Sequence, residues 1–434
     1  MISNDGGVSI MYDVVVIGGG TSGLMASIAA AKHGAKVMLL EKNDQLAKKL
    51  LLSGGGRCNL TNNKKIRDMI AHIPSNGRFL YSCFDQFNNQ DIINFFETHQ
   101  VLLKEEDHGR MFPMSNDANT ILNALIQECK KYKVDMKFKS VVHDLSVSDE
   151  NNFEMMIKDG TFQAKACIVC TGGVSFPKTG STGDGVRFAS KLGHHTFPFY
   201  ASESPLCIEN PVKELQGLSL RDVRLCVINE KNRVVISHTL DLIFTHFGLS
   251  GPAALRCSGF VHQLLQQKKL DRVEIQLDVL PNITREMLHQ ELLTAQKKKE
   301  EKEIKTIMTM YCNKRYASYI LAVLNIYEHT KMKHVKPKDL YFVSEKLKKM
   351  CFYVRKTFPI AQAFVSGGGI STKEIYPKTF GSKLVPGLYF AGEVVDIYGY
   401  TGGYNITYAL CSGYVAGMHA AQYTLKCDGE KIKF

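Results

Sequence analysis

The chain has 434 residues, 44% of them hydrophobic and 22% charged, with 35 glycines, no tryptophan and a net charge of +12. That size and balance fit an ordinary globular protein of two or three domains with a large core. No apolar run reaches the length of a membrane span, and Met1 to Met11 lacks the charged n-region and apolar core of a signal peptide, so no membrane partner is expected.

The first element is a strand. Asp13 is followed by Val14-Val-Val-Ile17, four branched apolar residues that read as buried on both faces. Met11, two residues upstream of Asp13, is an alternative start to Met1. The chain then turns through Gly18-x-Gly20-x-x-Gly23, which encloses Thr21 and Ser22, and enters a small-residue helix from Leu24. Gly18 makes the turn, Gly20 admits a pyrophosphate, and Gly23 lets helix and strand pack closely. The helix N-terminus offers free N–H groups and positive partial charge to phosphates. A second apolar strand, Val37 to Leu40, ends at Glu41, where a dinucleotide fold places an acceptor for ribose hydroxyls, with Lys42 beside it. Strand, glycines, helix, strand and acid together point to a bound dinucleotide.

Next comes Ser53-Gly-Gly-Gly56-Arg57-Cys58-Asn59, an open backbone-rich loop with a cation, suited to a flat polar ligand. Residues 78–137 read as helices broken by one loop at 107–115, with Asn116 or Asp117 capping the next helix. Residues 137–145 read as one strand, with Val142 as a backbone contact for an adenine ring. Phe153 to Ile157 and Thr161 to Ala164 form a hairpin. The strand from Ala166 runs into Thr171-Gly172-Gly173, and a second glycine loop, 180–185, opens a helix. Cys167 and Cys170 on that strand point to opposite faces and make no redox pair. The twelve cysteines follow no disulfide framework, which indicates reduced core thiols and a cytoplasmic setting.

From 197 the character changes to short strands (225–228, 234–237, 273–277) and turns, with an exposed loop at 243–252 that carries His246. Residues 283–347 alternate charge and leucine at helical period. The lysines of 296–305 mix with glutamates, which favours a solvated helix face over a nucleic-acid groove. After a strand at 350–354, residues 360–370 re-enter the first domain. The second strong signal is C-terminal: Gly387 to Glu393 is a strand ending in Gly392-Glu393, with Asp396 close behind, and Thr401-Gly-Gly403-Tyr404-Asn405 opens a helix. An acid there accepts from a ribityl hydroxyl, and the helix end favours a group that becomes anionic on reduction. This pairing of the two chain ends points to FAD.

These motifs, with 171–185, 244–252 and 364–369, resemble the glutathione-reductase-like flavoproteins and, more narrowly, the bacterial BaiN/YhiN-like family, over nearly the whole chain. The resemblance implies an α/β fold: a Rossmann-like FAD-binding domain (11–196 and 358–434), an inserted β-barrel-like domain (197–278, with a return strand at 347–357) and a small helical insert (279–346). It implies bound FAD and oxidoreductase chemistry on a small organic substrate, one branch of the family reducing double bonds in bile-acid intermediates. Where the family has Asp-Gly after Asp396, this chain has Ile397-Tyr-Gly399. No second strand–glycine–helix–acid unit is legible in 200–350, so NAD(P)H is expected as a transient electron donor. Arg57 and His246 are the candidates for substrate binding and proton donation. Two alternatives stand beside a reductase: a flavoprotein acting on tRNA, suggested only by the basic charge, and a flavin-binding redox sensor without turnover.

Overall fold

The computed structural model describes residues 11–431; the alternative start at Met1 and the leader reading of the first ten residues lie outside them. In chain order the strands are β1 Met11–Ile17, β2 Val37–Leu40, β3 Thr61–Asn62, β4 Leu103–Glu106, β5 Arg110–Pro113, β6 Asp135–Lys137, β7 Asp144–Val147, β8 Phe153–Ile157, β9 Gly160–Val169, β10 Thr196–Ser202, β11 Leu206–Ile208, β12 Ser219–Ile228, β13 Val234–Phe244, β14 Gly248–Ser250, β15 Val273–Asp278, β16 Met350–Thr357, β17 Val365–Ile370 and β18 Leu388–Phe390. The helices are α1 Thr21–Lys32, α2 Lys48–Leu52, α3 Ile66–Ala71, α4 Tyr81–Phe84, α5 Asn89–Thr98, α6 Ala118–Lys131, α7 Asp184–Lys191, α8 Pro252–Gln267, α9 Arg285–Lys298, α10 Ile304–Met308, α11 Lys314–Val323, α12 Pro337–Lys348 and α13 Tyr404–Lys431. The described residues divide into two units, one made of 11–199 and 366–431, the other of 200–365.

The first unit is built on a mostly parallel sheet. β2 and β9 flank β1 in parallel register, β6 extends the sheet beyond β2, and β18 joins β9 in parallel from the far end of the sequence. Val14, Val15 and Val16 are fully buried, as a strand covered on both faces requires. On this sheet lies α1, whose small residues let α13 approach to backbone distance: a Cβ at Gly413 would meet the Ser22 carbonyl at 2.3 Å, and one at Gly417 the Ala26 carbonyl at 2.2 Å. The C-terminal helix is thereby fixed against the N-terminal βαβ unit.

The second unit is a closed antiparallel barrel, in the order β11-β14-β13-β12-β15-β16. Helices α8 to α12 share one apolar core with it, in which Leu225, Leu277, Tyr316 and Leu340 are fully buried. Among the described residues no helix is long and apolar enough to cross a membrane.

Several elements differ from the sequence reading. The single strand expected at 137–145 is two, β6 and β7, in different parts of the sheet, because the chain between them turns at Lys139, which has a left-handed φ of 52°. The loop at 107–115 is the tip and second strand of a hairpin: β5 pairs with β4 and with β3. The exposed loop at 243–252 contains β14 and sinks Phe244 and Leu249 into the barrel core. The hairpin at 153–164 forms as expected, but β9 continues without a break to Val169. Asp117, not Asn116, caps α6, accepting from the Asn119 N–H at 2.9 Å.

Candidate functional site

The glycine turn after β1 does what its spacing predicts. Gly18 has φ 105°, and a Cβ on Gly23 would sit 1.8 Å from the Gly18 carbonyl oxygen, so helix and strand pack with no room for a side chain. A Cβ on Gly20 would meet nothing within 4 Å, and α1 begins with no side-chain cap. The first N–H groups of a helix have no intrahelical partner, which makes this end of α1 the place where an anion would be expected.

Glu41 closes this end. Its carboxylate is buried at 7% exposure and accepts from the Gly19 N–H (2.7 Å, Oε2) and from the Asn43 backbone and side-chain nitrogens (both 2.8 Å, Oε1). Oε2 keeps a lone pair for a ribose hydroxyl. Lys42 turns the other way: its Nζ pairs with Asp184 Oδ2 at 2.9 Å and tethers the 180–185 loop. Val142 is buried nearby in sequence to Ser140, whose N–H bonds the Glu41 carbonyl at 2.9 Å.

The other end of the site is made by segments far apart in sequence. Glu393 follows Gly392 after β18. Its Oε1 accepts from the Ser366 N–H at 2.6 Å and from Ser175 Oγ at 3.3 Å, and its Oε2 from Lys49 Nζ at 2.7 Å. Gly173 is pressed against this network, since a Cβ there would lie 2.6 Å from Ser366 Oγ. Thr171 Oγ1 accepts from the Gly185 N–H at 3.2 Å, and Gly172 has φ 71°, so the turn after β9 folds back on the start of α7. Asp396 accepts from the Gly368 N–H (3.2 Å) and from the Asn76 amide (3.1 Å). Burial pushes its carboxyl above the usual range, and the donors from Gly368, Asn76 and Ser75 only partly offset that.

The 53–59 loop meets the start of α13. Gly54 and Gly55 have left-handed φ values of 58° and 69° and are exposed; Gly56 follows at 88°. With the Asn59 amide turned so that its nitrogen donates to the Thr61 carbonyl (3.2 Å), its oxygen accepts from the Gly403 N–H at 3.1 Å. Gly403 itself lies against Thr61, where a Cβ would meet the carbonyl oxygen at 2.5 Å.

Other predicted residues are occupied differently. Arg57 is no free cation for a substrate: Nη1 pairs with Glu106 at 2.9 Å and the guanidinium stacks over Phe112. Cys58 is fully buried, and desolvation pushes its thiol up to about 12, which makes it a packing group. The Asn405 side chain closes the turn at Gly399, accepting from that N–H (2.8 Å) and donating to its carbonyl (2.7 Å). Tyr404 is buried and stacks on His72, ring centroids 4.6 Å apart. His246 lies in the other unit, exposed on the turn between β13 and β14, edge-on to Phe247 at 4.8 Å. Cys167 and Cys170 are both buried thiols without a disulfide. Sequence reasoning missed Lys49 and Asn76, whose partners Glu393 and Asp396 lie more than 300 residues away, and Ser366, which bonds Glu393 across 27 residues; nothing local marks them.

The model of the HI0933-like protein Rossmann domain matches residues 12–419. The chain is 30% identical over 405 residues to a ribosomal RNA dihydrouridine synthase of Escherichia coli K12, covering 93% of this chain and 96% of that protein. It is 28% identical over 415 residues to a 3-dehydro-bile acid delta(4,6)-reductase of Clostridium scindens, covering 95% of this chain and all of that one. Among solved structures, a 3-ketosteroid-delta4-(5alpha)-dehydrogenase from Rhodococcus jostii superposes with a TM-score of 0.52 at 14% identity, over 96% of this chain and 98% of that one, a likeness of fold.

Proposed function

Since this chain belongs to the HI0933-like family of Rossmann-domain flavoproteins, we propose that it is an FAD-dependent reductase of a carbon–carbon double bond conjugated to a carbonyl, acting on uridine in ribosomal RNA. Making dihydrouridine saturates the uracil C5–C6 bond, and a delta(4,6)-reductase saturates bonds of the same electronic kind, so the two relatives' names share one chemistry. The observation that carries the reading is a complete dinucleotide cradle joined to a ring-proximal end: the open α1 N-terminus with Glu41, and the Lys49–Glu393–Ser366 cluster beside the start of α13.

In this reading the Thr21 and Ser22 N–H groups hold the pyrophosphate, and Glu41 holds the adenosine ribose. Glu393, oriented by Lys49, would accept from a ribityl hydroxyl. The positive end of α13, anchored by Gly403 on Thr61, would favour negative charge on a group held beside it. FAD held there would supply hydride-transfer chemistry for saturating a carbon–carbon double bond, the second carbon taking a proton. The electrons come from NADH or NADPH as a transient visitor; residues 200–365 form a barrel rather than a second dinucleotide unit.

RNA is favoured as substrate by the full-length similarity to the ribosomal RNA enzyme, with which the net charge of +12 is consistent. A small enone substrate is the second reading, favoured by the full-length similarity to the bile-acid enzyme.

The test uses ribosomal RNA transcribed in vitro, free of modified bases, incubated anaerobically with the protein, FAD and each nicotinamide. Digestion and mass spectrometry should find uridine carrying two added hydrogens. Rapid flavin bleaching with no change in the RNA, and turnover of a steroidal dienone instead, would decide for the small-molecule reading. A protein that neither arrives yellow nor binds added FAD would refute both.

A further inference from the structure

Between α3 and α4 the first unit carries a cleft of about 610 Å³, lined by Arg67, Ile73, Asn76, Arg78, Phe79 and Tyr81 among others. Its shape follows from the sequence. Gly77 allows the short turn 77–80 to press on α3, since a Cβ there would stand 2.9 Å from the Ile70 carbonyl. Asn76, in a left-handed conformation at φ 52°, reverses the chain just before it. The turn then throws Arg78 and Tyr81 outward, opposite Arg67 on α3.

Three features of this cleft point to one kind of ligand. Arg67 and Arg78 both line the cleft and are exposed, and among the described residues neither has an acidic partner. Tyr81, which lines the same cleft, is 49% exposed, although a tyrosine ordinarily covers most of its apolar face. Two uncompensated guanidiniums beside an open aromatic ring match a phosphate backbone and an unstacked base. The third feature is position. The cleft wall is stitched to the C-terminal motif of the candidate site: Asn76 Nδ2 donates to the Asp396 carbonyl at 2.6 Å, the Tyr400 N–H bonds the His72 carbonyl at 2.9 Å, and His72 stacks on Tyr404.

We propose that this cleft seats single-stranded RNA beside the candidate site, Arg67 and Arg78 taking backbone phosphates and Tyr81 stacking on an unpaired base. The inference rests on the RNA reading of the proposed function and adds to it the surface that holds the strand. A base that is to be reduced must leave its stack, so a stacking platform and phosphate anchors next to the reacting position serve to hold the neighbouring nucleotide open.

The test compares wild type with R67Q/R78Q, Y81L and, as a charge control, R221Q/R233Q, which removes two exposed arginines from the other unit. All are surface changes, and FAD content with thermal melting verifies folding. Retention of in vitro ribosomal RNA on filters is measured against salt, alongside uridine reduction. R67Q/R78Q should weaken binding on the order of tenfold and lower the slope of log affinity against log salt by about 1.4, the value for two single-strand phosphates. Y81L should weaken binding about fivefold or more with the slope unchanged. If wild type binds and reduces the RNA while the cleft variants match it, or while the control pair loses as much as the cleft pair, the cleft proposal falls and the RNA reading stands. Wild type that neither retains nor reduces the RNA overturns both.

Discussion

Lys49 and Glu393 lie 344 positions apart in the chain and 2.7 Å apart in space, an ion pair that joins the first glycine-rich half of the cofactor site to the last strand of the sheet. The same Nζ reaches Ser175 Oγ at 2.6 Å, so one lysine holds three segments together. Lys49→Met leaves a half-buried carboxylate with only its Ser366 and Ser175 donors. The expected cost is about 1–2 kcal/mol of stability and a fall in FAD affinity of about tenfold, read by melting and by flavin fluorescence titration. Unchanged affinity would remove Lys49 from the cofactor site.

Gly20 and Gly23 separate folding from binding. Gly23→Ala drives a methyl group into the Gly18 carbonyl and should destabilise the apoprotein by about 3 kcal/mol or more. Gly20→Ala meets no protein atom within 4 Å and has an ordinary backbone conformation, so the apoprotein should melt as wild type does. Its methyl group occupies the space assigned to the pyrophosphate, and FAD retention after purification should drop sharply. A G20A protein that stays fully yellow would place the phosphates elsewhere.

The thiol of Cys58 sits in the glycine–arginine loop and invites a redox role, but burial holds it protonated, with its pKa pushed up to about 12. The native protein should leave Cys58 unlabelled by an aromatic disulfide reagent at pH 8, with labelling appearing only in denaturant. Cys58→Ala should keep flavin reduction by nicotinamide within about twofold while costing about 1–2 kcal/mol of stability.

His194 gives a pH dependence with a definite sign. Its side chain is fully buried, with Nε2 2.8 Å from Ser382 Oγ, and desolvation lowers its pKa below 6.5 despite the neighbouring Glu374. Below about pH 6.5 the unfolded chain therefore binds a proton that the folded chain resists, and stability falls as pH drops. His262 and His419 are lowered by burial in the same sense. The melting temperature should decline between pH 7 and pH 5, and His194→Gln should flatten that decline in part. An identical slope in the variant would show that His194 is not among the groups responsible.

The parts of the fold that were legible are those with a strong local signature. β1, β2 and the end of β9 are continuous apolar runs, and their glycine turns have fixed spacing, so the dinucleotide cradle and Glu41 follow from the sequence alone. β4 reads as helix because Leu103-Lys-Glu-Glu106 is half-exposed and polar and imitates a helix surface, and β5 falls within the stretch that reads as a loop. β14 was missed because three residues carry no period. In the site, Glu393 was found through its glycine turn, but Lys49 stands next to Lys48, which pairs with Asp44 on the surface, and nothing local tells the two apart. Arg57 and Asn405 were chosen for their chemistry; neighbours distant in sequence or a local turn had already claimed their side chains.

β9 has a consequence for the order of events in the cell. Its first half pairs with β8 and its stretch from Gln163 to Val169 with β1, all encoded before residue 170, while its last residues wait for β18. During synthesis the barrel and its helices emerge in between and have time to fold as their own unit. Glu393 and α13 arrive last, so the ring-proximal half of the cofactor site cannot close on a nascent chain.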